Sequence, residues 1–159
     1  MKLDFNRAHI SGEPLNVAIN AVLDETAARE AQKPRPYLGA SLVGDECLRK
    51  CQYTWQVESA HPARTMRIFA RGHAAEETTA AAFLAAGFRL ERGTDACEFS
   101  ALDGRFKGHC DGIFRDGPPT LKYPCLWEHK CIGSKGWAKL EKNGLKAAYP
   151  TYYKQVMLY

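Results

Sequence analysis

Residues 108 to 130 bring Asp111, Glu128 and Lys130 close together in the sequence. Asp111 lies in the run from Gly108 to Phe114, and Glu128 and Lys130 follow a polar connection rich in glycine and proline. We expect a strand on each side of this connection. Glu128 and Lys130 then share one face, because side chains repeat every second residue along a strand. The sequence therefore predicts two carboxylates and an amine that converge at one edge of a sheet.

This combination of side chains has a recognisable chemistry. Hard divalent cations such as Mg²⁺ bind oxygen ligands, and they usually take one or two carboxylates together with waters and substrate phosphate. A lysine beside such an ion can hold or polarise the attacking water. The stretch therefore predicts metal-assisted hydrolysis of a phosphodiester.

The pattern of residues along the whole chain predicts helices first, then strands, and then helices again. Helices are expected from Pro14 to about Gln32 (with Leu15, Ile19, Val22 and Leu23 on one stripe), from about Arg64 to Ala86, from Ser134 as the N-cap to Lys142, and from Tyr149-Pro150 to Tyr159. Strands are expected at Phe88–Arg92, Cys97–Leu102, Arg105–Phe114 and Pro124–Cys131, with a hairpin at Asp103-Gly104. The expected fold is α/β, a mixed and mostly antiparallel sheet flanked by helices.

Charge and hydropathy limit the class of protein. The 159 residues carry a net charge of +4, which permits a nucleic-acid partner without requiring one. No apolar run approaches the ~20 residues that span a membrane, and the N-terminus lacks the apolar core of a signal peptide. We therefore expect a cytoplasmic protein whose six cysteines are mostly reduced.

Asp111, Glu128 and Lys130, together with the helices before and after them, resemble the motifs of the PD-(D/E)XK nuclease superfamily, in its RecB-like and lambda-exonuclease-like branch. Asp111 and the run Glu128-His129-Lys130 match the D…E-x-K motif, and the run from Gln155 to Tyr159 matches the Q-x-x-x-Y signature. The run from Arg71 to Glu76 matches the helix that carries an acidic residue or histidine facing the metal. Leu38-Gly39-Ala40-Ser41, followed by Cys47-Leu48-Arg49, looks like the N-terminal segment of phage and CRISPR-associated relatives.

The resemblance covers residues 37 to 159 and implies a restriction-endonuclease-like core there, with residues 1 to 36 as a helical lead-in. The sequence departs from the family pattern at three places. Cys110 stands where the motif name has proline, and position 76 is glutamate rather than histidine. The sequence given ends at Tyr159, whereas relatives usually continue with another strand and more helix, so a C-terminally truncated core is expected.

The resemblance also implies a role for each motif residue. Asp111, Glu128 and the backbone carbonyl of His129 bind Mg²⁺ or Mn²⁺, and Glu76 completes the acidic cluster. Neighbouring helical residues lie about 100° apart, so that only one of Glu76 and Glu77 faces the site, and the spacing from Gly72 selects Glu76. The remaining roles fall to Lys130, which orients or activates the water, to Gln155, which binds the water or a phosphate, and to Tyr159, which supports Gln155 or contacts DNA.

Each of these residues also has an ordinary structural interpretation. A lone strand glutamate usually lies on a solvated face, and Tyr159 fits a core aromatic nearly as well. Arg49, Lys50, Arg67 and Arg71 are candidate DNA contacts, as are Lys33, Arg35 and Arg64, although any one of them can be a solvated charge. Four aromatic residues can stack on unpaired bases or pack in the core, namely Trp55, Trp137, Tyr152 and Tyr153.

The cysteines leave a second type of cofactor open. Some RecB-like relatives hold an iron–sulfur cluster, and Cys47-x-x-x-Cys51 could supply two ligands on one helix face, whereas Cys110, Cys125 and Cys131 are expected in the core. The leading hypothesis is a Mg²⁺- or Mn²⁺-dependent exonuclease of DNA recombination, repair or phage metabolism. Its partners would be DNA, with a homo-oligomer or recombination protein possible and no membrane. The alternatives are a CRISPR-associated iron–sulfur nuclease and a non-catalytic DNA-binding module.

Overall fold

The computed structural model describes residues 14–29, 36–56 and 61–159. It is a mixed α/β structure whose chain divides into two units. The first unit comprises Met1–Lys33 and Ala60–Arg71, and the second comprises Pro34–Ser59 and Gly72–Tyr159. The strands and the residues of the D…E-x-K motif all belong to the second unit.

Six α-helices and six strands lie within the described residues. The helices are α1 Pro14–Arg29, α2 Ala40–Val43, α3 Leu48–Gln56, α4 Ala63–Ala85, α5 Ser134–Ala148 and α6 Pro150–Val156. The strands are β1 Leu38–Gly39, β2 Arg89–Glu91, β3 Glu98–Ala101, β4 Phe106–His109, β5 Gly112–Asp116 and β6 Cys125–Trp127. None of the helices in these ranges is long and apolar enough to cross a membrane.

The predicted helix from Pro14 is confirmed as far as Arg29, while residues 30–32 lie outside the described residues. Its apolar stripe of Leu15, Ile19, Val22 and Leu23 stays between 47% and 66% exposed. Within the first unit, Arg67 of α4 binds Asp24 of α1 at 3.0 Å. The stripe therefore remains as exposed apolar surface on α1.

The predicted long helix is confirmed as α4, and its end follows from one residue. Gly87 has φ +87°, a left-handed conformation that glycine adopts at little cost. This turn lets the Phe88 N–H donate to the Phe83 carbonyl at 3.0 Å, and the Gly87 N–H donate to the Leu84 carbonyl at 3.1 Å. Both bonds satisfy carbonyls that the end of a helix leaves open.

The strands form two three-stranded sheets, in the orders β1-β4-β3 and β2-β5-β6. The predicted hairpin at Asp103-Gly104 is confirmed, since β3 pairs antiparallel with β4. All pairs are antiparallel except β1 with β4, which are parallel. The sheet structure is therefore mixed and mostly antiparallel, as predicted.

The single predicted strand from Arg105 to Phe114 is wrong, because the chain leaves one sheet and enters the other at Cys110 and Asp111. The Cys110 N–H still donates to the Cys97 carbonyl at 2.9 Å, and two residues later Gly112 pairs with Trp127. A Cβ at Gly112 would lie 2.8 Å from Leu90 Cδ1 and 3.0 Å from the Glu91 carbonyl. The absence of a side chain at Gly112 therefore permits this close approach.

The prediction that Glu128 and Lys130 lie on a strand is also wrong, since β6 ends at Trp127. The His129 N–H donates to the Asp111 side chain instead of to a backbone carbonyl. Strand β6 therefore ends before His129, whose N–H donates to a side chain and not to the backbone of a neighbouring strand.

The core of the second unit lies between α4 and the β2-β5-β6 sheet. Its buried residues are Ala80, Phe114 and Trp127. The Phe83 ring meets the Phe114 ring edge-on with centroids 5.0 Å apart, and it meets the Trp127 ring at 6.0 Å. This packing fixes β5 and β6 beside each other, with Asp111 just before β5 and Glu128 just after β6.

The two last helices differ from prediction at their ends. The N-cap of α5 is Gly133, so the predicted cap at Ser134 is wrong. Gly144 is non-helical (φ 73°, ψ 165°), two residues after the predicted end at Lys142, although helical structure resumes as far as Ala148. The final helix α6 ends at Val156 instead of Tyr159.

Candidate active site

Asp111 and Glu128 are brought together by the pairing of β5 with β6. Gly112 lies opposite Trp127, and the same register carried one residue further sets Asp111 opposite Glu128. The His129 N–H donates to Asp111 Oδ2 at 2.6 Å, which holds the Asp111 side chain against the residue that follows Glu128. The two predicted carboxylates are therefore neighbours beyond the ends of two adjacent strands.

Glu128 is a buried carboxylate, with a side chain only 6% exposed. Its Oε1 accepts hydrogen bonds from the ammonium of Lys130 and from Gln155 Nε2, the latter at 2.7 Å. Its Oε2 is buried and has no hydrogen-bond partner among the described residues. Burial raises the pKa of Glu128, although the hydrogen bond with Lys130 opposes the rise.

Gln155 connects Glu128 with Tyr159. It is buried on α6, and its Nε2 donates also to the Tyr159 hydroxyl at 3.1 Å. Burial raises the pKa of Tyr159, so its phenol stays protonated near neutral pH. On α6, Lys154 Nζ donates to the Gly44 carbonyl at 3.2 Å, a contact that ties this helix to the end of α2. Gln155 thus contacts both Glu128 and Tyr159, and its hydrogen bond to Glu128 helps to orient that carboxylate.

Arg92 is a member of the site that the sequence did not predict. Its Nη2 donates to Glu76 at 2.5 Å and to Glu77 at 2.7 Å, and its Nε donates to the Asp111 carbonyl at 3.2 Å. The guanidinium carbon lies 5.4 Å from the centroid of the Trp127 ring. These carboxylates raise the pKa of Arg92, Glu77 having the larger effect.

The prediction that only one of Glu76 and Glu77 faces the metal stays a prediction. Both carboxylates reach the same guanidinium, because its planar fork offers donors over a wider arc than a single helical direction. Glu76 is therefore linked to Asp111 through Arg92. No sequence motif marks Arg92, which ends the predicted strand at Phe88–Arg92 as one basic residue among many.

His129 contributes its backbone N–H to the site, while its ring lies elsewhere. Its Nε2 is 3.4 Å from Thr79 Oγ1, and the ring centroid is 6.1 Å from that of Trp127. The predicted role of the His129 carbonyl as a metal ligand stays a prediction.

The predicted DNA contacts are divided between the two units. Arg49 and Lys50 lie exposed on α3 of the second unit, where Lys50 pairs with Asp45 at 2.5 Å. Arg67 and Arg71 belong to the part of α4 in the first unit. Two further candidates, Lys33 and Arg35, lie outside the described residues.

A divalent metal ion is implied by the resemblance, and the donor set can be tested for it. Within residues 14–29, 36–56 and 61–159 there is no group of three or more histidine, cysteine or acidic residues that could hold a metal ion. Mg²⁺, however, often takes only one or two carboxylates and completes its shell with water and phosphate. The neighbouring Asp111 and Glu128, with the buried unpaired Glu128 Oε2, fit a site of that open kind.

All six cysteines are free thiols. Cys51, Cys97 and Cys110 are buried, but Cys131 is exposed, so the expectation that it lies in the core is wrong. Burial raises the pKa of the Cys110 thiol to about 12, which keeps it protonated. In the part of the chain that the structure describes, the cysteines belong to no group of three or more that could hold a metal ion.

A cavity of about 370 Å³ opens beside the carboxylate site. Glu128, Lys130 and Cys131 line one part of it, and the rest is formed by side chains of α5 and α6, among them Trp137, Leu140, Leu145, Tyr149, Tyr152 and Val156.

Compared with known protein families, with curated proteins and with solved structures, the chain matches none.

Proposed function

We propose that the chain is a metal-dependent deoxyribonuclease with a restriction-endonuclease-like core. The observation that carries this proposal is the state of Glu128. Its carboxylate is buried, one oxygen is held by Lys130 and Gln155, and the other oxygen has no partner in the described residues. A buried acceptor without a partner costs free energy, which a ligand at that oxygen would recover. The resemblance of residues 37 to 159 to the PD-(D/E)XK superfamily supports the same assignment.

Asp111, Glu128 and the His129 carbonyl would hold Mg²⁺ or Mn²⁺, which when bound lowers the pKa of water and polarises the phosphoryl oxygens. In the reaction the water oxygen forms a bond to phosphorus, the bond from phosphorus to the leaving oxygen breaks, and that oxygen takes up a proton. Lys130 orients the water and offsets the charge that develops on the phosphoryl group. Gln155 keeps Glu128 in position, and Tyr159 keeps Gln155 in position.

The substrate and context follow from the resemblance. We propose action at DNA ends, in recombination, repair or phage DNA metabolism, with DNA as the partner and a homo-oligomer or recombination protein as a further one. Exposed basic residues such as Arg49 and Lys50 support a polyanionic substrate, since phosphate contacts supply most of the affinity for DNA.

The test is a cleavage assay on linear duplex, circular duplex and single-stranded DNA, each with Mg²⁺, Mn²⁺ or EDTA. We expect metal-dependent loss of the substrates that have ends. Lys130→Ala should abolish cleavage, whereas Lys122→Ala, which removes an exposed loop lysine, should not. Undiminished cleavage by Lys130→Ala would refute the mechanism. If the protein binds DNA but cleaves none of the substrates, the nuclease hypothesis is refuted in favour of a non-catalytic DNA-binding module.

A further inference from the structure

We propose that the cavity beside Glu128 and Lys130 receives one unpaired nucleobase of the DNA strand, and that Trp137 stacks on this base. The inference rests on the proposed function, because that function places a substrate phosphate at Lys130. The cavity is continuous with the same two side chains, so the nucleotide attached to that phosphate is the chemical group nearest to it.

Trp137 is the aromatic side chain of the cavity that stands open to a ligand. It is 55% exposed, and no ring or cation packs on its indole among the residues that the structure describes. The two tyrosines of the lining are already engaged. The Tyr149 and Tyr152 rings stack with centroids 5.2 Å apart, and Lys130 Nζ lies 5.7 Å from the centroid of the Tyr152 ring. An indole face left free in a cavity is the surface on which a base stacks.

The charge of α5 favours a nucleotide over a neutral or basic ligand. The helix that carries Trp137 contains four lysines and one glutamate, a net charge of +3. Lys139 is held by the Ala148 carbonyl at 2.7 Å, whereas Lys135 and Lys142 are exposed. An aromatic surface on a basic helix matches a ligand that joins an aromatic ring to a phosphate.

The size of the cavity limits what can enter. Its volume of about 370 Å³ lies toward the lower end of the roughly 300–1,000 Å³ of small-molecule sites. It accommodates a single nucleoside. A base can enter only after it leaves the stack, and opening a duplex for this costs free energy that a single strand does not have to supply. The preferred substrates are therefore single strands and frayed ends.

The binding test uses two probes that differ only in the base. Calorimetric titration of the whole chain, with Mg²⁺, compares dAMP with 2-deoxyribose 5-phosphate. We expect dAMP to bind about fivefold more tightly or better, since stacking on an aromatic side chain supplies ~1–3 kcal/mol. Trp137→Ala should remove this difference, and Trp137→Phe should keep most of it. Tyr53→Ala, which removes an equally exposed aromatic ring of α3, should change nothing.

A cleavage test separates this inference from the proposed function. Single-stranded oligonucleotides with a normal or an abasic end nucleotide are compared, and circular dichroism checks that both Trp137 variants are folded. The base site is supported if the wild type cleaves the abasic strand more slowly than the normal one and Trp137→Ala cleaves the two at the same rate. Equal binding of the two probes overturns the base site and leaves the nuclease standing if cleavage persists. Preferred, Trp137-dependent binding of dAMP without cleavage keeps the base site and refutes the nuclease. A change of oligomeric state in Trp137→Ala, with dAMP binding unaltered, overturns the inference in favour of self-association.

Discussion

Glu76 and Glu128 were predicted to be ligands of the same metal, yet the structure gives the two glutamates opposite surroundings. Their side chains are 19% and 6% exposed. Glu76 shares the guanidinium of Arg92 with Glu77, whereas both partners of Glu128 converge on one oxygen and leave the other without a partner in the described chain. The motif therefore selects both acids, but of the two only Glu128 has a buried oxygen without a partner among the described residues.

The difference comes from the partners. Arg92 offers several donors in a rigid fork, so it can satisfy two carboxylates and a carbonyl together. Lys130 offers a compact ammonium that reaches a single oxygen of Glu128. Under the proposed function, we expect the Arg92 side of the site to contribute to stability and the Glu128 side to contribute to catalysis.

The largest effect should come from Glu128→Gln. The substitution keeps the shape of the side chain but removes its charge, so we expect cleavage to fall by at least about 10²-fold, as when other charge-stabilising groups are removed. Single-turnover cleavage rates measure this. If Glu76→Gln lowers the cleavage rate to this extent and Glu128→Gln does not, the roles that we assign to the two glutamates are reversed.

The next effect concerns stability. Arg92→Ala leaves Glu76 without its cation and removes the donor to the Asp111 carbonyl, so the free energy of unfolding should fall by about 1–3 kcal/mol. Urea denaturation measures the change. Arg105→Ala is the matched control, because Arg105 pairs across 3.7 Å with the 96% exposed Asp103, and its loss should have no measurable effect.

A smaller effect concerns pH. Burial raises the pKa of Glu128 above its ordinary value of 4.5, so the folded protein holds this proton to higher pH than the unfolded chain. The folded state binds more protons in that interval, and the free energy of unfolding therefore falls as pH rises from 4.5 through the raised pKa. Urea denaturation in EDTA at several pH values should show this fall in the wild type, less so in Glu128→Gln. An unchanged slope in the variant would contradict it.

The smallest effect compares the two acids on α4. Glu77 is 68% exposed and Glu76 is 19% exposed, although both bind Arg92. Glu77→Gln should leave the midpoint of thermal unfolding equal to that of the wild type within experimental error, whereas Glu76→Gln should lower it. Equal shifts would show that exposure does not separate the two contacts.

Local signals predicted much of the fold. The end of α4 at Gly87 and the hairpin at Asp103-Gly104 follow from residues that favour those conformations wherever they stand. The break at Cys110 and Asp111 did not follow, because it depends on the Cys97 carbonyl and on the packing of Gly112 against Leu90, contacts between residues far apart in sequence. Local patterns carry no record of such contacts.

The candidate site divides in the same way. The spacing of Glu128 and Lys130 and the separation of Gln155 from Tyr159 were in the sequence, and the structure brings these side chains together. Their catalytic roles stay predictions. Arg92 could not be predicted, because its importance arises only when the end of β2 meets α4 and Asp111.

The exposed thiol of Cys131, which lines the cavity next to Lys130, offers a chemical handle on the site. In a Cys47→Ser background, Cys131 is the one exposed cysteine of the described chain, so a maleimide dye should label it first. Any occupant of the cavity should then slow that alkylation. The labelling rate would report occupancy in real time, without a cleavage product and without knowing in advance which nucleotide the protein prefers.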